Sequence, residues 1–343
     1  MVAVSIIIVN YNGEAFLQDA LDSLRAQTFR DFEVLLVDNA STDGSADNLN
    51  TDGIPGYRFL PQTENLGFAA GNNVAARLSE AAWLVLFNPD AVANPNWIER
   101  MMAATERHPS VNMFACAQYD LEDPSIMDGA GDCYLGFGIP WRGGFGLPAE
   151  TLDEGECFSP CGASAVFRRS VFEAHGGFDE RFFCYSEDVD LGYRMRLAGE
   201  RCIFLPDAVI RHAGSGISGR ASEFAIFHGT RNRIWTYAKN TPALLLWLTL
   251  PGHAAITLAI LLRGLATGRA GPTWRGIKAG LAGLGTLRND RRFGPPRRTV
   301  SLRDLAYAMA WNPKRLLDRK PVIRPLRPPQ DDNVAKAGDR THG

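Results

Sequence analysis

Glu187, Asp188 and Asp190 place three carboxylates within four residues, directly after the aromatic stretch FDERFFCYS and at the head of a segment with helical spacing. Carboxylates this close repel when ionised, so one holds its proton to higher pH, which suits a group that must take a proton from a hydroxyl. Acidic residues at a helix start also complement the helix dipole, and for Asp190 that role is sufficient. Three exceed what capping requires. Asp188 is therefore the candidate general base, with Glu187 beside it in the catalytic pair.

Asn88-Pro89-Asp90 closes the apolar run AWLVLF. A carboxylate there can hold a divalent cation, Mg²⁺ or Mn²⁺, against a bound diphosphate, with Asn88 supplying a neutral oxygen. Pro89 equally makes the tripeptide a turn. Asp38 ends another apolar run and, with the polar loop Asn10-Tyr11-Asn12, could grip a base and ribose; a strand-terminal Asp also caps a following helix. His212, in VIRHAGSGISG, sits where a metal or phosphate could reach it, although a lone histidine serves structure as readily. Arg231 and Arg233 could hold a diphosphate through bidentate contacts, or lie on a solvated helix face.

Such residues act together only if the fold brings them together. VSIIIVN (4–10) is a β-branched run of strand length, followed by a turn at Asn12-Gly13 and a segment whose apolar positions 16, 17, 20, 21 and 24 follow helical spacing. FEVLLVD (32–38) predicts a second strand, with NASTDGS leading into a short helix. YRFL (57–60), a helix from about Gly71 and AWLVLFNPDA (82–91) repeat the unit. This alternation predicts an α/β fold with a mostly parallel central sheet flanked by helices. Ligands of such sheets bind beyond the carboxyl ends of the strands, where Asn10, Asp38, Asn88 and Asp90 fall. Further helices are expected at SVFEAH and DVDLGYRMRLAG.

The 343 residues, 45% of them hydrophobic, can fill a sizeable core, and a formal charge of −2 gives no case for nucleic-acid binding. Six cysteines without a CxxC pair suit free thiols in a reducing compartment. The chain starts directly into SIIIVNYN with no secretion signal, which predicts a cytoplasmic catalytic part. Residues 243–262 contain no charged side chain, and 263–298 carry nine Lys/Arg against one acidic residue. Pro251-Gly252-His253 interrupts the uncharged stretch, so a pair of interfacial helices is expected on the inner face of the cell membrane, ahead of a spanning helix or a soluble core or dimer contact. The basic run would attract anionic headgroups or simply face solvent. Three regions are expected: a catalytic domain at 1–240, a helical membrane-associating region at 241–320 and a disordered tail at 321–343.

In order, IIIVNYN, LLVDNASTDGS, NLGFAAGNN, LFNPDA, GASAVFRRSVFEAHGGFDERFFCYSEDVDLGYRMRLAG and RHAGSGIS resemble the inverting family 2 glycosyltransferases, which have a GT-A nucleotide-sugar fold. The chain is most similar to their bacterial rhamnosyltransferase-like members, and the resemblance spans about residues 4–240. It implies a nucleoside-diphosphate sugar donor and a glycan or polyprenyl-diphosphate-linked acceptor. Asn10, Tyr11, Asp38, Asn65, Gly67, Asn72, Asn88 and Arg231 would hold the donor, Asp90 and His212 a divalent cation, and Asp188 would be the base of a single inverting displacement. Many relatives have Asp where this chain has Asn88, which weakens the expected metal site.

A dehydrogenase of βαβ type is a poor fit, because the first turn, NYNGEAF, lacks GxGxxG. A sugar nucleotidyltransferase would need a Gly-rich, basic loop after the first strand. A non-catalytic GT-A-fold partner or scaffold of a polysaccharide assembly complex is supported by Asn88 and opposed by the intact Glu187-Asp188 pair.

Overall fold

Seven consecutive buried residues make Val4–Asn10 (β1) a central strand, followed by helix Leu17–Arg25 (α1) and strand Phe32–Asp38 (β2). The structure, a computed structural model, describes residues 2–13, 16–214, 222–288 and 298–327. Strand Arg58–Pro61 (β3), helix Gly67–Leu78 (α2) and strand Trp83–Phe87 (β4) complete a parallel block ordered β3-β2-β1-β4. Both faces are covered. Ile6, Ile8, Val34, Leu36 and Val85 pack with α1 and with helix Trp97–Arg107 (α3), which follows the short strand Ala91–Ala93 (β5). The alternate residues Ile7, Val9, Leu35, Val37, Leu84 and Leu86 join a second cluster. Continuous apolar strands are the consequence of this two-sided burial.

Beyond β4 the sheet is mixed. The chain runs through strands Met113–Asp120 (β6), Met127–Ala130 (β7), Asp132–Leu135 (β8), Ile139–Arg142 (β9), Gly155–Cys157 (β10) and Ser164–Arg168 (β11). It continues through helices Arg169–Ala174 (α4) and Glu187–Leu197 (α5) to the long strand Cys202–His212 (β12). β11 inserts between β4 and β6, antiparallel to both, and β12 runs parallel to β6. Among the named strands parallel pairing is confined to the β3-β2-β1-β4 block and the β6–β12 pair; apolar runs in the sequence give strand positions but not directions. The short helix expected after NASTDGS does not form; residues 39–50 are bends, one turn and irregular backbone.

Helices Glu223–Asn240 (α6), Ala243–Ala266 (α7), Ala270–Ala282 (α8), Leu284–Arg288 (α9), Leu302–Ala308 (α10) and Pro313–Leu317 (α11) follow. α7 is one helix running through Pro251, not the interrupted pair. Gly252 and His253 serve as a docking point: a Cβ at Gly252 would lie 2.5 Å from Phe137, and His253 stacks on Tyr237 at 4.0 Å while bonding the Phe137 carbonyl at 2.8 Å. The last turns of the chain also pack on the main body. Leu305 and Met309 join Tyr134, Phe158 and Tyr193, and Arg324 exchanges two backbone hydrogen bonds with Glu156 on edge strand β10. Packed structure thus reaches into the expected tail; 328–343 lie outside the described residues, as do 289–297 of the basic run and 215–221 after His212.

Candidate active site

A cleft of about 270 Å³ opens beyond the carboxyl ends of β1 and β4. Of the residues expected there, Tyr11, Asn65, Gly67, Asn88, Asp90, Glu187, Asp188 and His212 line it. Asn10, Asp38, Asn72 and Arg231 do not, and each has another task.

Asn10 and Asp38 end the paired strands β1 and β2 in register with each other. Asn10 donates to Asp38 at 2.9 Å and to Ser45 at 2.8 Å, and Asp38 accepts the Ser41 hydroxyl at 2.6 Å and the Ser41 N–H at 3.1 Å. The two buried side chains hold the turn behind the cleft wall, while Tyr11 and Asn39 face the space itself. Asn39 was not singled out by the sequence. Asn72 is buried on α2, bonding the Phe68 carbonyl one turn back at 2.9 Å.

Strand pairing brings Asp90 to His212. β5 pairs antiparallel with β12, His212 standing opposite Ala91, so the residue before Ala91 meets the imidazole: Asp90 Oδ1 lies 3.1 Å from Nε2. On the other side, Nδ1 bonds Asp128 at 2.7 Å. Asp128 lies where the β6–β7 register shifts, between the pairs Gln118–Gly129 and Tyr119–Met127, and such a bulge re-aims a side chain. Burial works to lower the His212 pKa, but its hydrogen bonds to Asp128 and Asp90 and their charges overcome this and raise it. Arg142 on β9 pairs with Asp128 and also lines the cleft.

Asn88 presents a further clue. Its Nδ2 is 3.1 Å from His212 Nε2, and its buried Oδ1 has no hydrogen-bond partner. An orphaned amide oxygen and a carboxylate are the oxygen donors that Mg²⁺ or Mn²⁺ prefers, and the imidazole nitrogen beside them is better accepted by Mn²⁺ than by the harder Mg²⁺. Among the described residues no three His, Cys, Asp or Glu side chains form a complete metal cage. A cation here would draw its remaining ligands from diphosphate and water, as Mg²⁺ commonly does. The donor set fits.

Asp188 stands across the cleft at the start of α5. Its Oδ2 accepts the Gly162 N–H at 2.7 Å and its Oδ1 the Val189 N–H at 2.8 Å. Desolvation raises its pKa against the opposing pull of those amides and Arg142. Glu187 is more deeply buried; desolvation and the neighbouring Asp188 charge push it well above the usual carboxylate range. Asp190 turns away from the cleft into a buried network with Arg194, Lys239 and Asn240, at 2.9, 2.8 and 2.8 Å.

The loop presenting this pair is strained. Phe183, Tyr185 and Ser186 all have positive φ, at 65°, 72° and 65°. Asn232, fully buried on α6, holds it by reaching the carbonyls of Phe182, Cys184 and Tyr185 at 2.7–2.9 Å. Arg231 donates to the carbonyls of Arg181 and Phe182 at 3.2 and 2.8 Å and stacks on Trp235. Arg231, expected with Arg233 to grip a diphosphate, thus joins Asn232 as a clamp on the loop. Arg233 is buried on α6 away from the cleft lining. Gly67 completes the fit: at φ +81° it abuts the same loop, where a Cβ would lie 2.6 Å from the Phe183 carbonyl.

A parallel block with polar strand ends, an acidic turn after β4 and carboxylates facing it across the cleft define a glycosyltransferase of the GT-A architecture. Residues 5–176 match the family model described as glycosyl transferase family 2, and the chain belongs to that family. It is 32% identical over 248 residues to an N-acetylglucosaminyl-diphospho-decaprenol L-rhamnosyltransferase of Mycobacterium tuberculosis, covering 65% of this chain and 80% of that protein. It is also 31% identical over 216 residues to an O-antigen biosynthesis protein of Myxococcus xanthus, covering 58% of this chain and 16% of that protein. Among solved structures, a mannosyltransferase of Pyrobaculum calidifontis in complex with GDP-Man and Mn²⁺ superposes with a TM-score of 0.53 at 18% identity, covering 85% of this chain and 82% of that one. GalNAc-T7 with UDP, GalNAc and Mn²⁺ gives 0.54 at 14% identity, covering 70% and 48%.

Proposed function

We propose that this glycosyltransferase moves a sugar, rhamnose first among candidates, from a nucleoside-diphosphate donor to a hydroxyl of a polyprenyl-diphosphate-linked glycan, with inversion at the anomeric carbon. The observation that carries the reading is the Asp188 carboxylate, held by two amides and facing Asn88, Asp90 and His212 across one cleft. Asp188 takes the acceptor proton while the hydroxyl oxygen bonds to the anomeric carbon; the bond from that carbon to the phosphate oxygen breaks, and the nucleoside diphosphate carries away the electron pair. Asp90, the Asn88 amide oxygen and His212 Nε2 would hold a divalent cation, which supplies positive charge where the leaving diphosphate gains negative charge. Tyr11, Asn39 and Asn65 face the donor's nucleotide end, with Asn10 and Asp38 keeping their loops in place. The acceptor class and rhamnose are supported by the mycobacterial relative's activity.

Residues 1–240 carry the chemistry in this reading, and 241–320 hold the enzyme on the cytoplasmic face of the cell membrane. α7 is the one helix among the described residues long and apolar enough to cross a bilayer. Its buried residues are Thr249, His253 and Gly264, while Trp247, Leu248 and Leu265 are 72%, 68% and 66% exposed. A helix docked along the protein by one side and apolar on the other suits lying in the interface rather than crossing it.

The test is transfer from a panel of nucleoside-diphosphate sugars to N-acetylglucosaminyl-diphospho-polyprenol, with the anomeric configuration of the product read by NMR. Transfer with inversion supports the reading. Failure of every donor, with nucleotide binding intact, favours a non-catalytic partner.

A further inference from the structure

A second cavity, of about 300 Å³, lies between α6, α7 and α8 and belongs to nothing in the catalytic cleft. Arg233, Arg263 and Arg269 stand in its wall, and no acidic side chain does. Arg233 is buried at 6% exposure, and its two terminal nitrogens have no hydrogen-bond partner. A buried guanidinium without an acceptor is costly, and an anion would satisfy it.

The surrounding backbone adds to this. α7 turns sharply into α8: Arg269 donates to the Gly264 carbonyl at 2.8 Å, and a Cβ at Gly264 would lie 3.1 Å from Ala270. The turn brings the N-terminus of α8, a helix of 13 residues, to the cavity through Arg269 and Thr273. The backbone N–H groups of both residues are already engaged, Arg269 with the Gly264 carbonyl and Thr273 with the Arg269 carbonyl at 3.3 Å, so the helix contributes the Arg269 guanidinium and not free amides. The hydroxyls of Thr267 and Thr273 already donate to the carbonyls of Arg263 and Arg269, which leaves binding to the arginines.

Its location points to the source of the anion. Ile260 shares the wall, and Leu262 and Leu265, 54% and 66% exposed, flank Arg263 on the apolar helix. We propose that this cavity binds the phosphate or diphosphate headgroup of a membrane lipid, seating α7 at the depth where its leucines meet the acyl chains. The inference rests on the reading of α7 as a membrane-facing helix. Anionic phospholipids and the polyprenyl-diphosphate acceptor share this chemistry.

Flotation of the full chain with three kinds of vesicle separates the sources: phosphatidylcholine alone, with phosphatidylglycerol, and with a polyprenyl diphosphate at equal surface charge. The variant pair is R263Q/R269Q; the control R275Q/K278Q removes the same charge from α8 outside the cavity. The cavity pair should weaken binding at least about fivefold more than the control, near the contribution of one interfacial basic residue. A loss on both anionic vesicles identifies a phospholipid headgroup, and a loss confined to the diphosphate vesicles identifies the acceptor. Equal losses for both pairs on every vesicle overturn the proposal. If wild type floats with no vesicle, the membrane reading falls, and inorganic diphosphate titrated by thermal shift decides the cavity: a response weakened only in R263Q/R269Q supports it, and identical responses refute it.

Discussion

Asp188 accepts the backbone N–H of Gly162 at 2.7 Å, across 26 residues of sequence. Gly162 belongs to the turn entering β11, whose neighbour Ala163 accepts the Asn88 N–H at 3.2 Å. One turn therefore anchors the proposed base and also braces the proposed metal–diphosphate strand end. Backbone pairing of β11 with β4 thereby links the positions of the two.

The pH dependence follows from this setting. Asp188 must be ionised to accept a proton, and burial places its pKa above the ordinary value of 3.8. Activity should fall as pH drops through that raised pKa, giving kcat/KM an acidic limb displaced upward from the usual carboxylate range. A limb at or below the ordinary value would remove Asp188 from the role.

Glu187 makes a separate stability prediction. Its folded pKa is raised, so its contribution is fully present below the unfolded value of 4.5 and is lost as pH rises through the folded pKa. Gln cannot ionise, so Glu187→Gln should gain stability relative to wild type steadily as pH rises above 4.5. Urea unfolding across that range checks it, and parallel curves would refute it.

Asp128 holds His212 by Nδ1 and leaves Nε2 facing Asp90 and Asn88. Removing such a partner of a metal-binding histidine typically costs about 10–100-fold in metal affinity. Asp128→Asn should raise the Mn²⁺ concentration needed for half-maximal transfer by about that factor, with metal-free nucleotide binding unchanged. An unchanged Mn²⁺ titration argues against His212 as a ligand.

Asn232 does not itself line the cleft, yet it ties down the strained loop before Glu187 by holding the lining residues Cys184 and Tyr185 through their carbonyls. Asn232→Ala strands buried carbonyls and should cost about 1–3 kcal/mol of stability. A displaced base should also lower kcat, by up to about a hundredfold for a shift near 1 Å, while KM for the donor stays close to wild type. Lost stability with normal kcat would make Asn232 purely structural.

Much of the site was legible because the signals were local. The apolar runs ending at Asn10, Asp38 and Phe87 located the strand ends, and the density of carboxylates at 187–190 marked the opposite wall. Asp128, Asn39 and Arg142 carried no such signal: each joins the site through strand pairing or a bulge that periodicity does not encode. Arg231 misled for the same reason, since a guanidinium that binds a diphosphate and one that binds carbonyls look alike in sequence. Pro251 suggested a broken helix, whereas packing of Gly252 against Phe137 and of His253 against Tyr237 holds α7 continuous.

The most direct test is single-turnover sugar transfer by Asp188→Asn alongside donor binding to the same protein. Gln- or Asn-type amides keep the shape but cannot accept the proton, so transfer should fall by about 10²–10⁴-fold while nucleotide affinity stays within about twofold. Transfer at the wild-type rate would contradict the assignment of Asp188 as base and, with it, the proposed mechanism.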